Sequence, residues 1–386
     1  MGTNNVTIIV RWCVSHPAHS LSYSFFQTSA PTQELFCRDD LNREQRRTLL
    51  FTEISQVSSE DDLNNPDTPQ YTAFEWIVGD DILLRDPSEP CPEDSGLEQR
   101  YILALLYFAT GGDTDWTQCS RRLSVECRPD QQEGQDRWMT FGSVCIWAGV
   151  GCVDDETEPI VNSLSFNNEF EVDGSNGFGL TGELPDELFQ LTDITFLNFE
   201  ENDLTGNIPD ALFNVVGLTQ LDFTSNPRFG GTLSTRIGEL TSLTNFDIGQ
   251  CDFTGTLPDE VGRLPNLNVL RVQGNEFTGT IPQTMGQALP DGDFQPLRVF
   301  DVVDNGFVNP TDPLGNTLPP LPLSFSNLQT LNGTSLGSGW FIQGNPLTGT
   351  IPQGVCEIGA FCGVANVPFC QQPLGNCISP RPCLCF

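Results

Sequence analysis

The sequence predicts an α/β solenoid, in which short coils stack along one axis, and three observations support this fold class. A six-residue phrase, Leu/Phe-Thr-Gly-x-Leu/Ile-Pro, recurs along the chain, and its copies over residues 180–277 begin 24 or 25 residues apart. A second pattern, L-x-x-L-x-L-x-x-N, stands ahead of the phrase. Cysteines concentrate on both sides of the repeated region. The phrase begins at Leu180, Leu204, Phe253, Phe277 and Leu347, and a degenerate copy begins at Phe229.

The second pattern predicts one short strand in each coil. Its central L-x-L alternates apolar and polar residues, as a strand with one buried face must. The asparagine that ends the pattern is expected to point inward and to bond backbone groups of the neighbouring coil, which would otherwise be buried unpaired. These inward positions are Asn202, Asn226, Cys251 and Asn275.

Together the two patterns resemble the leucine-rich repeat, and the Leu-Thr-Gly-x-Ile-Pro phrase resembles its plant-specific class. The resemblance implies a superhelix with a parallel concave β-sheet, and a second short strand that begins at each phrase. About seven repeats are expected. We divide the chain into an irregular segment (1–40), a helical prelude (41–98), an N-terminal cap (99–159), leucine-rich repeats (160–352) and a Cys-rich C-terminal cap (353–386).

The region ahead of the repeats is predicted to be helical. Apolar residues at three-to-four spacing favour an amphipathic helix over residues 42–58, and shorter helices are expected at 70–78 and 100–110. The segment 100–152 resembles the N-terminal cap of plant-type leucine-rich repeat proteins, which implies a Cys145–Cys152 disulfide. From about residue 45 onward the chain also resembles secreted or surface leucine-rich repeat proteins of diatoms and related algae.

The cysteine content favours an oxidising, extracellular or cell-surface location. Fourteen cysteines are present, and the sequons at Asn5 and Asn332 agree with secretion. No signal peptide is readable at the start of this chain. For the C-terminal cysteines we favour disulfides over a zinc cluster, because their spacing lacks the paired C-x2-C of structural zinc sites; the pairing stays open. They are Cys356, Cys362, Cys370, Cys377, Cys383 and Cys385.

Charge narrows the range of partners. The chain carries 51 acidic and 17 basic residues, a net charge of −34, and every basic residue is arginine. Such a field repels nucleic acids and anionic membranes. The charge also has a simpler interpretation, which is solubility at high ionic strength.

No catalytic arrangement is apparent in the sequence. Both histidines, His16 and His19, lie outside the repeats, and no nucleophile motif is present. We therefore expect a protein that is not an enzyme and that has no cofactor or metal.

The outward strand positions of the concave sheet are the candidate ligand-binding residues. Asp222 and Asp247 are expected side by side in solvent, next to Arg271 and Asp301. This group is either a solvated acidic face with Arg271 as internal counter-ion, or a polar groove for a cationic peptide or a glycan. The exposed pair Asp186 and Glu187 on the opposite surface is the expected control. The candidates are Phe196, Asn198, Glu200, Gln220, Asp222, Thr224, Asn245, Asp247, Arg271, Gln273, Asp301 and Phe341, the two Phe as stacking surfaces.

Two classes of function remain open from the sequence. The first is an extracellular recognition module for a protein, peptide or glycan, as a receptor-like ectodomain or an enzyme inhibitor. The second is a structural wall or matrix component whose acidic surface holds cations. No nucleic-acid partner and no membrane insertion by this chain are expected.

Overall fold

The repeats build two layers of parallel strands in the computed structural model. All the described residues belong to one unit that spans 33–386. Among them, no helix has the length and apolar character needed to cross a membrane. The structure describes residues 42–79, 96–117, 138–140, 143–153, 159–167, 178–328 and 339–348, and the backbone of 362–363.

The larger layer, the main sheet, takes one strand from each repeat. Its strands lie in the order β1-β2-β4-β6-β8-β10-β12-β14-β15. The pairing is parallel from β2 onward, and β1 is antiparallel to β2. The strands are β1 (Val150–Val153), β2 (Ile160–Ser165), β4 (Phe196–Asn198), β6 (Gln220–Asp222), β8 (Asn245–Asp247), β10 (Val269–Arg271), β12 (Val299–Asp301), β14 (Gly339–Phe341) and β15 (Cys362–Gly363).

The short strands at the phrase copies form a second sheet, as the resemblance to the plant-specific repeat implies. Its sixth strand, Gly306–Phe307, lies in the sixth repeat, where the phrase itself is absent. In most repeats a five-residue 3-10 helix follows the short strand. The strands are β3 (Thr181–Gly182), β5 (Asp203–Asn207), β7 (Arg228–Thr232), β9 (Asp252–Thr256), β11 (Glu276–Gly279) and β13 (Gly306–Phe307), and the 3-10 helices are Asp186–Gln190, Asp210–Asn214, Thr235–Glu239, Asp259–Arg263 and Leu323–Asn327.

A column of aromatic rings runs through the core between the layers. Phe199 stacks on Phe223 with ring centroids 5.5 Å apart, and Phe253 stacks on Phe277 at 6.1 Å. Each of these rings is fully buried. Because each coil covers the ring of the next, burial is continuous along the array. The predicted leucine-rich repeat solenoid is confirmed.

The inward asparagines join neighbouring coils by hydrogen bonds. Asn275 donates from Nδ2 to the Ile248 carbonyl of the preceding coil at 2.7 Å and to the Val272 carbonyl of its own coil at 3.0 Å. Its Oδ1 accepts from the Phe253 N–H at 2.9 Å. The same pattern places Asn202, Asn226, Asn305 and Asn345 in one ladder.

Cys251 takes the place of the ladder asparagine in one coil. This coil follows the 25-residue step between the phrase copies at Leu204 and Phe229. Its thiol donates to the Phe223 carbonyl at 3.1 Å, but a thiol has no counterpart of the asparagine Oδ1. The N–H that would need this acceptor belongs to Phe229, and it donates instead to the Asn226 backbone carbonyl at 3.0 Å. The additional residue between Asn226 and Phe229 brings this N–H to the Asn226 carbonyl, which replaces the acceptor that Cys251 lacks.

Four α-helices lie in the described residues ahead of the repeats. The side chain and backbone of Asn42 form a capping box with Gln45 at the start of α1, so the predicted amphipathic helix begins there. The turn region after it contains a short additional helix, because Ser59 caps a new N-terminus by accepting from the Asp62 N–H. The helices are α1 (Arg43–Ile54), α2 (Glu60–Asn64), α3 (Pro69–Gly79) and α4 (Leu97–Ala109).

The helices and the first strands share a core of aromatic residues. Arg100, only 4% exposed, lies over the rings of Trp76 and Trp147, with its guanidinium carbon 5.3 and 5.1 Å from their centroids. The Cys145–Cys152 disulfide is present next to this cluster. The end of the solenoid core is therefore covered here, as a cap requires.

In the control pair on the opposite surface, Asp186 and Glu187, the second residue is buried. Glu187 is 9% exposed, and its carboxylate accepts from Ser58 Oγ at 2.7 Å and from Gln70 Nε2 at 3.1 Å. Tyr101 donates to Ser58 at 2.8 Å, and burial raises the pKa of its phenol. The expectation that Glu187 is exposed is wrong, because the helical prelude packs on the 3-10 helix Asp186–Gln190 and covers it.

Several sequence-based predictions lie outside the described residues. They concern the irregular N-terminal segment with His16 and His19, the sequons at Asn5 and Asn332, and the pairing of Cys356, Cys362, Cys370, Cys377, Cys383 and Cys385.

Candidate recognition face on the main sheet

Three rows of outward side chains cross strands β4 to β14, and together we call them the main-sheet face. Parallel pairing aligns equivalent positions of successive repeats, so each row contains one residue per coil. The first row is Phe196, Gln220, Asn245, Val269, Val299 and Gly339; the central row is Asn198, Asp222, Asp247, Arg271, Asp301 and Phe341; the last row, just past the strands, is Glu200, Thr224, Gly249, Gln273, Val303 and Gln343.

The carboxylates and amide of the central row hold the backbone where each strand ends. The Oδ1 of Asn198 and of Asp222 accepts the N–H two residues later, at 2.9 Å in both cases. Asp247 and Asp301 do the same at 3.1 Å. One oxygen of each side chain is therefore used locally, which leaves the second oxygen of each aspartate and the Nδ2 of Asn198 for other contacts.

Asp247 is neutralised within the face. Its Oδ2 lies 3.2 Å from Nη1 of Arg271 on the next strand, and the residue is only 8% exposed. The interpretation of Arg271 as an internal counter-ion thus applies to Asp247. The expectation that Asp247 points freely into solvent is wrong, because Arg271 and the neighbouring strands cover it.

Asp222 has no such partner. Among the side chains that the structure describes, no basic group forms an ion pair with it, since Arg271 contacts Asp247 instead. Burial and, secondarily, the charge of Asp247 raise the pKa of Asp222 above its ordinary value. Burial likewise raises the pKa of Asp301. Two partly desolvated carboxylates thus flank one ion pair.

A small cavity lies over this part of the face. Its volume is about 60 Å³, and its lining includes Phe196, Asn198, Gln220, Asp222 and Arg271. Asn198 is 8% exposed, and the described structure contains no acceptor bonded to its Nδ2. A larger depression of about 610 Å³ lies over the adjoining turns, with Glu201, Asp203, Ser225 and Gln250 in its lining.

The last row contains polar atoms that are buried without a hydrogen-bond partner. They are Oγ1 of Thr224, Oε1 of Gln273 and Oε1 of Gln343. The Gln273 amide occupies the space beside Gly249, where a Cβ would lie only 2.1 Å from Nε2. Unpaired buried polar groups are uncommon in native proteins and costly, so their alignment along one row singles out this edge of the face.

The structure brings the four charged candidates together on consecutive strands and separates the two aromatic ones. Phe196 and Phe341 lie on β4 and β14, roughly 24 Å apart by strand spacing. The predicted candidate set omitted Val269, Val299 and Val303, which share the face; their signal was available in the alternation of the strand pattern.

No protein-family model and no curated protein matches the chain. Solved structures with a similar fold include PEPR1–AtPEP1 (22% identity, TM-score 0.47, 69% of this chain and 31% of that one). Another is the Arabidopsis receptor kinase HAESA with the peptide hormone IDA and the co-receptor SERK1 (20% identity, TM-score 0.47, 70% of this chain and 41% of that one). A third is a plant ice-binding protein (19% identity, TM-score 0.41, 71% of this chain and 86% of that one). The chain spans less than half the length of the first two.

Proposed function

We propose that this protein is an extracellular recognition module, a receptor-like ectodomain or an enzyme inhibitor, that binds its ligand through the main-sheet face. The observation that carries the proposal is Asp222, a carboxylate that is partly buried and that forms no ion pair with any side chain the structure describes. Keeping an ionised group in that position is costly unless it is paired. A ligand that brings a positive or hydrogen-donating group to Asp222 would remove this cost.

Rigidity of the face supports the same function. The asparagine ladder fixes each coil to its neighbour, and the backbone N–H groups at the strand ends are held by Asn198, Asp222, Asp247 and Asp301. Side chains that are already ordered lose little freedom when a ligand binds. The Cys145–Cys152 disulfide supports an oxidising, extracellular environment.

The test compares the purified wild-type chain with Asp222→Asn and Asp252→Asn. Both variants remove one carboxylate charge; Asp252 is exposed on the second sheet. Each protein is immobilised and incubated with culture medium of the source cells, and bound material is identified by mass spectrometry. We expect a ligand that wild type and Asp252→Asn retain and that Asp222→Asn loses. Equal retention by all three would show that the face is not the binding site.

The net charge of −34 favours one alternative, a structural component that holds cations. In that case calcium would bind the chain in proportion to total charge. Asp222→Asn and Asp252→Asn would then reduce binding equally, which distinguishes this function from recognition at the face.

A further inference from the structure

One residue in each coil from β4 to β14 has a left-handed backbone. It stands directly before the ladder residue, just past the main sheet, and we call these positions the turn row. Glycine adopts this conformation freely, whereas a residue with a side chain adopts it at a cost, because its Cβ crowds the backbone. The turn row is Glu201 (φ 57°), Ser225 (φ 61°), Gln250 (φ 55°), Gly274 (φ 67°), Asp304 (φ 50°) and Gly344 (φ 73°).

Three consecutive members of the turn row line the depression of about 610 Å³. They are Glu201, Ser225 and Gln250. Gly274 and Gly344 show that glycine fits this position of the coil, so the fold does not require side chains at the three lining positions. Backbone strain of this kind is concentrated at functional sites. The depression is therefore a candidate binding site that is separate from the main-sheet face.

The groups that this site offers to a ligand are side chains, because its backbone N–H groups are used between coils. Each of the three lining residues donates its N–H to a carbonyl of the following coil. A peptide that adds a strand needs unpaired backbone groups, and these donors are already paired. The bonds run from Glu201 to Thr224 (2.9 Å), from Ser225 to Gly249 (2.9 Å) and from Gln250 to Gln273 (2.7 Å).

The lining side chains keep both donors and acceptors for a ligand. Ser225 Oγ donates to Gln250 Oε1 at 3.0 Å, and this bond uses neither the Nε2 donor of Gln250 nor the lone pairs of Ser225. Asp203, also in the lining, is neutralised by an ion pair with Arg228. Glu201 forms no ion pair with any side chain that the structure describes. Its two carboxylate oxygens can accept from two adjacent hydroxyl groups.

From these groups we propose that the depression binds an uncharged saccharide. Sugar hydroxyls both donate and accept, which matches the Glu201 carboxylate and the Gln250 amide. The volume lies within the range of small-molecule sites, roughly 300 to 1,000 Å³. A metal ion does not match, because the described residues contain no group of three or more His, Cys, Asp or Glu side chains that could hold one. An acidic saccharide is repelled by the net charge of −34.

The experiment screens the full chain and four variants on an array of neutral and acidic oligosaccharides. Glu201→Gly and Gln250→Gly each remove a lining side chain and relieve its left-handed strain. Asp304→Gly is the matched control, because it makes the same backbone change in the turn row outside the depression. Asp222→Asn separates this site from the main-sheet face. The midpoint of thermal unfolding is measured for every protein.

We expect wild type, Asp304→Gly and Asp222→Asn to bind the same neutral saccharide. Glu201→Gly should bind it about tenfold more weakly, the size expected when a hydrogen bond to a charged group is lost, and Gln250→Gly should also bind it more weakly. The unfolding midpoints of the glycine variants should not fall below that of wild type. Relief of the strain offsets the greater freedom that glycine gives the unfolded chain.

The proposal is overturned if no neutral saccharide binds, or if Glu201→Gly and Gln250→Gly bind it as wild type does. Binding that Asp222→Asn abolishes would also contradict it, since the saccharide would then lie on the main-sheet face. An unfolding midpoint of Glu201→Gly below those of wild type and Asp304→Gly would show that the Glu201 side chain serves the fold. The proposed function does not depend on these results, because the culture-medium ligand tests Asp222 and not the depression.

Discussion

Two rows of short polar side chains run along this solenoid, and they differ in how completely they are paired. In the inner row, Asn226 is fully buried, and both ends of its amide are bonded to backbone groups. In the outer row, Asp222 uses one oxygen for the Thr224 N–H and has no ion-pair partner among the described residues. The same kind of side chain thus holds the fold in one row and keeps unused capacity in the other.

This difference shows how a repeat can carry structure and recognition in the same coil. The inner row is nearly uniform, because each asparagine bonds a backbone group that every coil presents, and its one described exception, Cys251, follows a coil with an extra residue. Where the outer row carries aspartate or asparagine, one oxygen accepts the N–H two residues later, and either residue can supply it. The charge of the outer row can therefore vary without loss of the fold.

The largest effect should come from the inner row. We expect Asn275→Ala to lower the free energy of unfolding by about 1 to 3 kcal/mol, because it leaves buried backbone groups unpaired. Urea unfolding followed by circular dichroism measures this. The exposed Asn207→Ala on the second sheet is the control and should change it by less than about 0.5 kcal/mol. Similar values for the two variants would contradict the assignment of the ladder.

A smaller loss is expected at the ladder position that lacks an amide. Cys251→Ala should cost about 1 kcal/mol, because only a thiol hydrogen bond is lost and the Phe229 N–H keeps its bond to Asn226. Asn275→Cys provides the comparison, since Phe253 has no such alternative acceptor, and it should cost more than Cys251→Ala. The reverse order in urea unfolding would show that the 25-residue coil does not compensate.

The smallest effect, of opposite sign, should come from the outer row. Because burial raises the pKa of Asp222 above 3.8, the folded state binds this proton more tightly than the unfolded chain does. The wild type therefore loses stability as pH rises through the interval from 3.8 to the folded-state pKa. We expect Asp222→Asn to gain stability relative to wild type across that interval and to keep the gain at neutral pH.

The measurement is the midpoint of thermal unfolding for both proteins from pH 3 to pH 8 in the same buffer series. Asp252→Asn, which removes an exposed charge, serves as the control. A loss of stability in Asp222→Asn at neutral pH, or a difference that does not depend on pH, would mean that the carboxylate is not desolvated in the folded protein.

The repeat pattern predicted what lies within a coil, and it could not predict what one distant segment does to another. The inward direction of Asn202 and the adjacency of Asp222 and Asp247 follow from spacing alone. The burial of Glu187 does not, because Ser58, in the turn after α1, and Gln70, in α3, reach it from more than a hundred residues earlier. Asp247 shows a subtler limit: alternation gives its direction, while its exposure depends on where Arg271 places its guanidinium group.

The exchange at Cys251 has a consequence for how such an array can change over evolutionary time. The extra residue between Asn226 and Phe229 and the cysteine one coil later are mutually dependent. A deletion that restored a 24-residue coil would be tolerated only after Cys251 had become asparagine. If the deletion came first, the Phe229 N–H would be left without an acceptor. Lineages that descend from this sequence therefore have a preferred order of events at these two sites.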